Sequence, residues 1–177
     1  DPRRNPPLIL GHEFVGTLVG GRLAGQRVTG NPLIHCGHCD FCVQGRNNLC
    51  RNRGMVGMTR PGAFAEFMAI PERCLIPVPQ DMPAAAAALT EPAATALHGV
   101  ALAQRALFRP LAEARALVVG GGAIGLLTAL LLRAQGCRVS LAETNPLRRE
   151  SARKHAGCIV FDPRETAPAP GAYELVV

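Results

Sequence analysis

Apolar residues along the first thirty positions come in short clusters cut by glycine, at residues 8–10 before Gly11, at 14–19, and from Gly25 to Val28. Runs this short, bounded by turn residues, predict small β-strands and a barrel-like lobe rather than helices. Residues 31–60 break the pattern. They hold Gly, Asn, Cys and Arg with little periodicity, and a connection that long needs something other than an apolar core to order it, for which a metal is the candidate. Strand character returns over residues 64–70 and 74–78, each closed by a proline, and Asp81-Met82-Pro83 then opens an alanine-rich helix.

The texture changes from residue 95. A helix over 95–105 precedes an apolar strand at 116–119, a helix at 123–135, a strand at 138–142, and a helix at 146–155 that Gly157 stops. Strands at 158–161 and 173–177 follow, separated by a Pro/Ala-rich loop over 163–171. Strand and helix alternating through short links predict a parallel sheet with right-handed crossovers. The expected class is α/β with a β-rich lobe, in two domains: 1–94, including a metal lobe at about 31–60, and 95–177. No repeat is visible, and the sheet is expected to continue past the apolar run Leu175-Val176-Val177.

Composition narrows the function classes. The 48% hydrophobic content of 177 residues suffices for a core, and the apolar run at 126–132 is far shorter than the ~20 residues a membrane span needs. No secretory signal opens the chain, so a reducing, cytoplasmic setting is expected. The net charge of +6 comes almost wholly from arginine, scattered rather than blocked. The nearest basic group, Arg46, Arg51 and Arg53, reads as a solvated loop face, because no aromatic residues interleave with it to stack bases. No nucleic-acid or membrane partner is expected.

Two motifs carry chemistry. Cys36, Cys39, Cys42 and Cys50 follow one another with two, two and seven intervening residues, a spacing that lets four thiolates close on one structural zinc. Iron-sulfur ligation is the chemical competitor, although those runs usually end in Cys-Pro or a differently spaced fourth thiolate. His35 and His38 lie inside the cluster and either could replace a thiolate; Cys74, Cys137 and Cys158 read as small buried residues. The second motif, Gly120-Gly121-Gly122-Ala123-Ile124-Gly125, matches Gly-x-Gly-x-x-Gly directly between strand and helix. There Gly120 serves the tight turn, Gly122 the approach of a pyrophosphate, and Gly125 the helix packing, with Ala123 and Ile124 opening the helix that faces the phosphates. Glu143, ending the next strand, suits both hydroxyls of a ribose and favours NAD. Arg148 and Arg149 could meet a 2′-phosphate, which that carboxylate would repel.

Gly11-His12-Glu13 upstream of the cysteines, Gly62-Ala63-Phe64-Ala65-Glu66-Phe67, and Glu91-Pro92 with His98 seven residues later complete a pattern. The chain resembles the zinc-dependent medium-chain dehydrogenase/reductase family, of the alcohol and sorbitol dehydrogenase kind, along essentially its whole length. The resemblance implies a GroES-like catalytic domain followed by part of a Rossmann doubly wound sheet. It implies that His12 binds a catalytic zinc with Glu13 at or near it, that Glu91 contacts the metal directly or through water, and that Thr95 lies against the nicotinamide. It also implies hydride transfer between NAD(P) and an alcohol, polyol or sugar-derived alcohol, and a homodimer or homotetramer. Without these neighbours Glu91-Pro92 reads as an ordinary helix start, and His98 as structural. The family's first catalytic ligand is a cysteine preceding Gly-His-Glu; no cysteine precedes residue 36, so the 177-residue chain alone is expected to be inactive. A zinc-stabilised nucleic-acid-binding module and a non-catalytic relative are the alternative functions.

Overall fold

The computed structural model describes residues 6–177, and the chain divides into two compact units, Asp1–Glu91 and Pro92–Val177. The first unit is built on short strands. β1 (Gly16–Thr17), β2 (Arg27–Gly30), β3 (Leu33–Ile34), α1 (Asp40–Val43), β4 (Gly54–Met55), β5 (Leu75–Pro77) and α2 (Ala84–Ala88) follow in order, and α3 (Thr90–Ala106) begins at its end. An antiparallel sheet in the order β1-β2-β5 pairs Gly16 with Val28 and Val28 with Pro77. A second pair, β3-β4, lies in the cysteine segment. Among the described residues the lobe shows the three-stranded sheet β1-β2-β5 and the separate β3-β4 pair. An apolar groove of about 460 Å³, lined by Phe14, Val28, Phe67, Met68 and Ile70, runs beside it.

Residues 64–70 also depart from expectation, forming no strand. The amides just before them are committed elsewhere. Gly62 donates to Ile9 O at 2.7 Å, Ala63 to Gly11 O at 3.0 Å and Phe64 to Leu10 O at 2.9 Å, so the backbone is satisfied by a turn rather than a ladder. Phe64 and Phe67 are exposed, while Met68 and Ile70 pack on the buried Ile34, Val56 and Cys74. Thr29, buried in β2, donates from Oγ1 to Phe14 O at 2.7 Å, and Arg27 reaches Met82 O at 2.6 Å, tying the sheet to the segment before α2.

The second unit is a parallel sheet in the order β8-β7-β6-β9, with β6 (Arg115–Val119), β7 (Arg138–Ala142), β8 (Ile159–Phe161) and β9 (Leu175–Val176) joined through α4 (Ala123–Ala134) and α5 (Pro146–Ala156). The order turns back at β6, which makes the end of β6 the topological switch point of a doubly wound sheet. Ala116, Leu117 and Val118 of this central strand are buried, as a strand covered on both faces requires. Ala116 and Val118 join Leu132 of α4, Leu141 of β7 and Ala152 of α5 in one core.

Local chemistry sets the helix ends. Asn145 caps α5 by accepting from Leu147 N and Arg148 N, Pro146 occupies the first turn, and Gly157 stops the helix with φ 56°. Helix α3 starts five residues before the predicted position, at Thr90, because Thr90 Oγ1 bonds Ala87 O at 2.7 Å where α2 ends and a new helix begins, with Pro92 tolerated in its first turn. Pro92, Ala96 and Val100 form its buried stripe at a four-residue interval. His98, read as structural, is exposed on this helix. No helix among the described residues is long and apolar enough to cross a membrane.

Candidate functional site

The cysteine lobe folds around its sulfurs. The Sγ atoms of Cys36, Cys39, Cys42 and Cys50 all lie within 4.8 Å of one another, with Cys36 to Cys42 at 3.9 Å and Cys39 to Cys42 at 3.5 Å. A tetrahedron with zinc-sulfur arms of ~2.3 Å has edges of about 3.8 Å, so the four thiols fit one zinc and leave it no open position. The backbone is aimed at the sulfurs as well, since Cys39 N donates to Cys36 Sγ and Cys36 N to Cys50 Sγ. Gly37, at φ 87°, permits the turn between the first two ligands.

The thiols differ in acidity for identifiable reasons. The backbone N–H groups of Arg51 and Cys42 hold the Cys39 thiol down at about 6, whereas desolvation pushes Cys42 up to about 12. Sulfur anions crowded together resist further ionisation unless a cation joins them, which is the chemistry of a metal-thiolate centre. His38 is exposed, its Nδ1 3.1 Å from Cys36 O, and neither it nor His35 belongs to the four-sulfur group.

The arginines beside this lobe are not simply solvated. Arg46 and Arg51 both lie over Phe41, their guanidinium carbons 5.4 and 5.2 Å from its ring centroid. Arg51 also forks onto Asp40 at 3.1 and 2.9 Å. Along the sequence no aromatic interleaves with these arginines, but in the fold Phe41 packs against two of them and is occupied within the chain.

A second donor set lies in the first unit. A ligand atom from each of His12, Glu13 and Glu91 falls within 4.8 Å of the others. Imidazole and carboxylate donors suit zinc, and three protein ligands leave a coordination position free, the mark of a reactive rather than a structural site. His12 and Glu91 are half-buried and Glu13 exposed.

Three glycines seat the turn that carries His12, a role the sequence reading did not assign. Gly11 has φ 96°. A Cβ on Gly57 would stand 2.5 Å from Gly11 O, and one on Gly62 would stand 2.6 Å from Leu10 O and 2.7 Å from Gly57 Cα. These backbones touch because none carries a side chain. The signal was present in the glycines spaced through Gly57-Met58-Thr59-Arg60-Pro61-Gly62, but only the fold shows what they approach.

In the second unit, Gly120 follows β6 with φ 101°, and its amide donates to Ala142 O at 2.8 Å. A Cβ on Gly125 would collide with Gly120 O, so this glycine is required for helix packing. A Cβ on Gly122 would meet no protein atom within 4 Å, so packing makes no demand for glycine there, whereas close approach of a ligand to the backbone would. Ala123 and Ile124 open α4 immediately afterwards. Glu143, 6% exposed, accepts from Gly121 N and from Asn145 N, each at 2.7 Å. The Asn145 and Gly121 amides hold its carboxyl below the usual range. Thr95 is exposed on α3.

A doubly wound sheet with a glycine loop at its switch point, joined to a lobe with a four-thiol group and a separate histidine-carboxylate group, defines a metal-dependent dinucleotide oxidoreductase architecture. Residues 2–80 match the alcohol dehydrogenase GroES-like domain. That match and the relatives below support kinship with part of the zinc-dependent medium-chain dehydrogenase family. The chain is 42% identical over 155 residues to an L-threonine 3-dehydrogenase of Mesorhizobium japonicum, an alignment covering 84% of this chain and 43% of that protein. A protein of Sinorhizobium meliloti 1021 described as a zinc-binding dehydrogenase, crystallised with NADP, superposes with TM-score 0.82 at 36% identity, over 93% of this chain and 48% of that one. Galactitol-1-phosphate dehydrogenase of Escherichia coli superposes with TM-score 0.80 at 28% identity, over 92% and 48%. The chain thus spans less than half the length of these relatives.

Proposed function

We propose that this chain supplies the metal ligands and the glycine loop of a zinc- and NAD-dependent dehydrogenase acting on a secondary alcohol. The observation that carries the reading is the convergence of His12, Glu13 and Glu91 within 4.8 Å, distinct from the four-thiol group. Two donor sets of different character imply two jobs. The thiols of Cys36, Cys39, Cys42 and Cys50 would hold a closed ion that orders residues the hydrophobic core does not reach. His12 and Glu91, with Glu13 beside them, would hold a second ion with room for a substrate oxygen. A bound zinc supplies a Lewis acid that makes a substrate hydroxyl more acidic, and NAD supplies the hydride acceptor.

The chain's own residues then hold and orient. Gly11, packed against Gly57 and Gly62, fixes the backbone from which His12 projects. Gly120, Gly122 and Gly125 shape the loop on which a pyrophosphate rests against the start of α4, at Ala123 and Ile124. Glu143 is anchored by two amides and keeps acceptor capacity for the ribose hydroxyls, while its negative charge disfavours a 2′-phosphate. This reading selects NAD, although the Sinorhizobium relative was crystallised with NADP. Thr95 is assigned to the nicotinamide side of the cofactor.

The substrate class follows from the relatives' names and from Glu91. L-threonine and galactitol 1-phosphate both present a hydroxyl flanked by polar substituents, and Glu91-Pro92 with His98 is part of the resemblance to the sorbitol dehydrogenase kind. The test is nucleotide reduction by the zinc-replete full protein with L-threonine, hexitols, hexitol phosphates and simple alcohols. NADH formation with a polar secondary alcohol is expected. Absence of reduction with every alcohol in the set, with both zinc ions bound, would overturn the reading.

A further inference from the structure

The tip of β7 is held by a cluster that the reaction does not use. Asp162, directly after β8, has a side chain only 1% exposed. Its Oδ2 accepts from Arg149 at 2.8 Å and from Arg164 at 2.7 Å, and its Oδ1 accepts from Arg164 Nε and Arg164 N, each at 3.0 Å. Both guanidinium groups continue to the neighbouring strand. Arg149 donates to Glu143 O at 3.0 Å and to Thr144 O at 2.8 Å, and Arg164 donates to Thr144 O at 3.0 Å. Two positive side chains therefore rest on the backbone of Glu143 and Thr144, and one buried carboxylate holds both.

That placement bears on coenzyme choice. A 2′-phosphate is recognised by guanidinium groups with donors free to fork onto its oxygens. Arg149 and Arg164 stand beside the residue assigned to the ribose, but Arg149 Nη1 and Arg164 Nε and Nη2 are directed at Asp162 and at two carbonyls. We propose that Asp162 is a specificity-determining residue: by clasping Arg149 and Arg164 it positions the Glu143–Thr144 backbone and withholds both cations from a 2′-phosphate, so that the coenzyme with a free 2′-hydroxyl is selected. The inference rests on the reading of Glu143 as the ribose acceptor. Asp162 acts through other residues and touches no reacting atom. An ion cluster that served only folding would weaken both coenzymes alike.

The experiment measures dissociation constants of NADH and NADPH by nucleotide fluorescence in the full protein, for the parent, Glu143→Gln, Asp162→Asn, the double variant and Arg164→Gln. Losing a charge-assisted clasp moves affinities by roughly ten-fold. Asp162→Asn is expected to weaken NADH and to shift the preference towards NADPH by roughly ten-fold, and the double variant to bind NADPH more tightly than Glu143→Gln alone. Equal weakening of both coenzymes, or an unchanged ratio, overturns the proposal. Arg164 is 66% exposed and its replacement is tolerable to folding if Asp162→Asn is not. With Asp162 intact, Arg164→Gln is expected to leave the ratio unchanged, and a selective loss of NADPH would show that Arg164 was never withheld. If Glu143→Gln moves neither coenzyme, the ribose reading itself fails; if it moves them while Asp162→Asn leaves the ratio alone, only the role of Asp162 fails.

Discussion

Gly62→Ala places one methyl group where three backbones meet. Its Cβ would stand 2.6 Å from Leu10 O and 2.7 Å from Gly57 Cα, and it would also strike Gly11 O. No side chain can swing aside, because every obstacle is backbone. Gly62 is not in the left-handed region, so the strain is spatial and not conformational. Were there room, a Gly→Ala change would stabilise the fold by about 0.4–1 kcal/mol through the unfolded chain. Overpacking instead costs about 1–3 kcal/mol, and separating the segments endangers the Gly62 N to Ile9 O bond, for about 1 kcal/mol more. Set against that gain, a net loss of about 1–3 kcal/mol is expected. With a urea slope of about 2 kcal/mol per molar, the unfolding midpoint should fall by about 0.5–1.5 M. The displaced turn carries His12, so zinc should be lost from the histidine-carboxylate set and kept by the thiols. A variant as stable as the parent, with both ions retained, would refute the reasoning.

His12→Ala should remove one zinc and abolish turnover while leaving unfolding nearly unchanged, as checked by metal analysis beside a denaturation curve. Cys39→Ser should remove the other zinc and lower stability and solubility sharply, and a variant as heat-stable as the parent would count against a structural ion. In metal-stripped protein Cys39, held at about 6, should be alkylated near neutral pH well before Cys42, pushed up to about 12, and peptide mapping of the labelled sites checks the order. Arg115 holds the Glu174 carboxyl down to about 2 from 4.5. The stability this pair contributes is complete above about pH 4.5 and lost as pH falls towards 2. The stability difference between the parent and Glu174→Gln should shrink across that window.

The second unit was legible because its signals are local. The run at 116–119, the glycine loop and the Asn145-Pro146 cap each specify backbone geometry within a few residues, and the strand bounds 138–142 coincide with β7. The cysteine spacing was equally local, since the four thiols meet through short loops. The first unit was less legible because its order depends on contacts distant in sequence. Nothing within residues 64–70 reveals that the preceding amides are spent on residues 9–11. Helix α3 was placed late because the alanine run hides a break that only the Thr90 hydroxyl marks. Asp162 carries no signal of its own in the sequence, because its clasp on Arg149 and Arg164 depends on the sheet register that sets β8 beside β7.

The central claim is that this chain houses two metal sites of different kinds, and counting zinc tests it most directly. Purified full protein, dialysed against a mild chelator and analysed by mass spectrometry of the metal, should retain two zinc ions per chain. His12→Ala and Cys39→Ser should each retain one, and only Cys39→Ser should lose substantial stability with it. A single zinc in the parent that survives His12→Ala, or four thiols that bind none, would contradict the account.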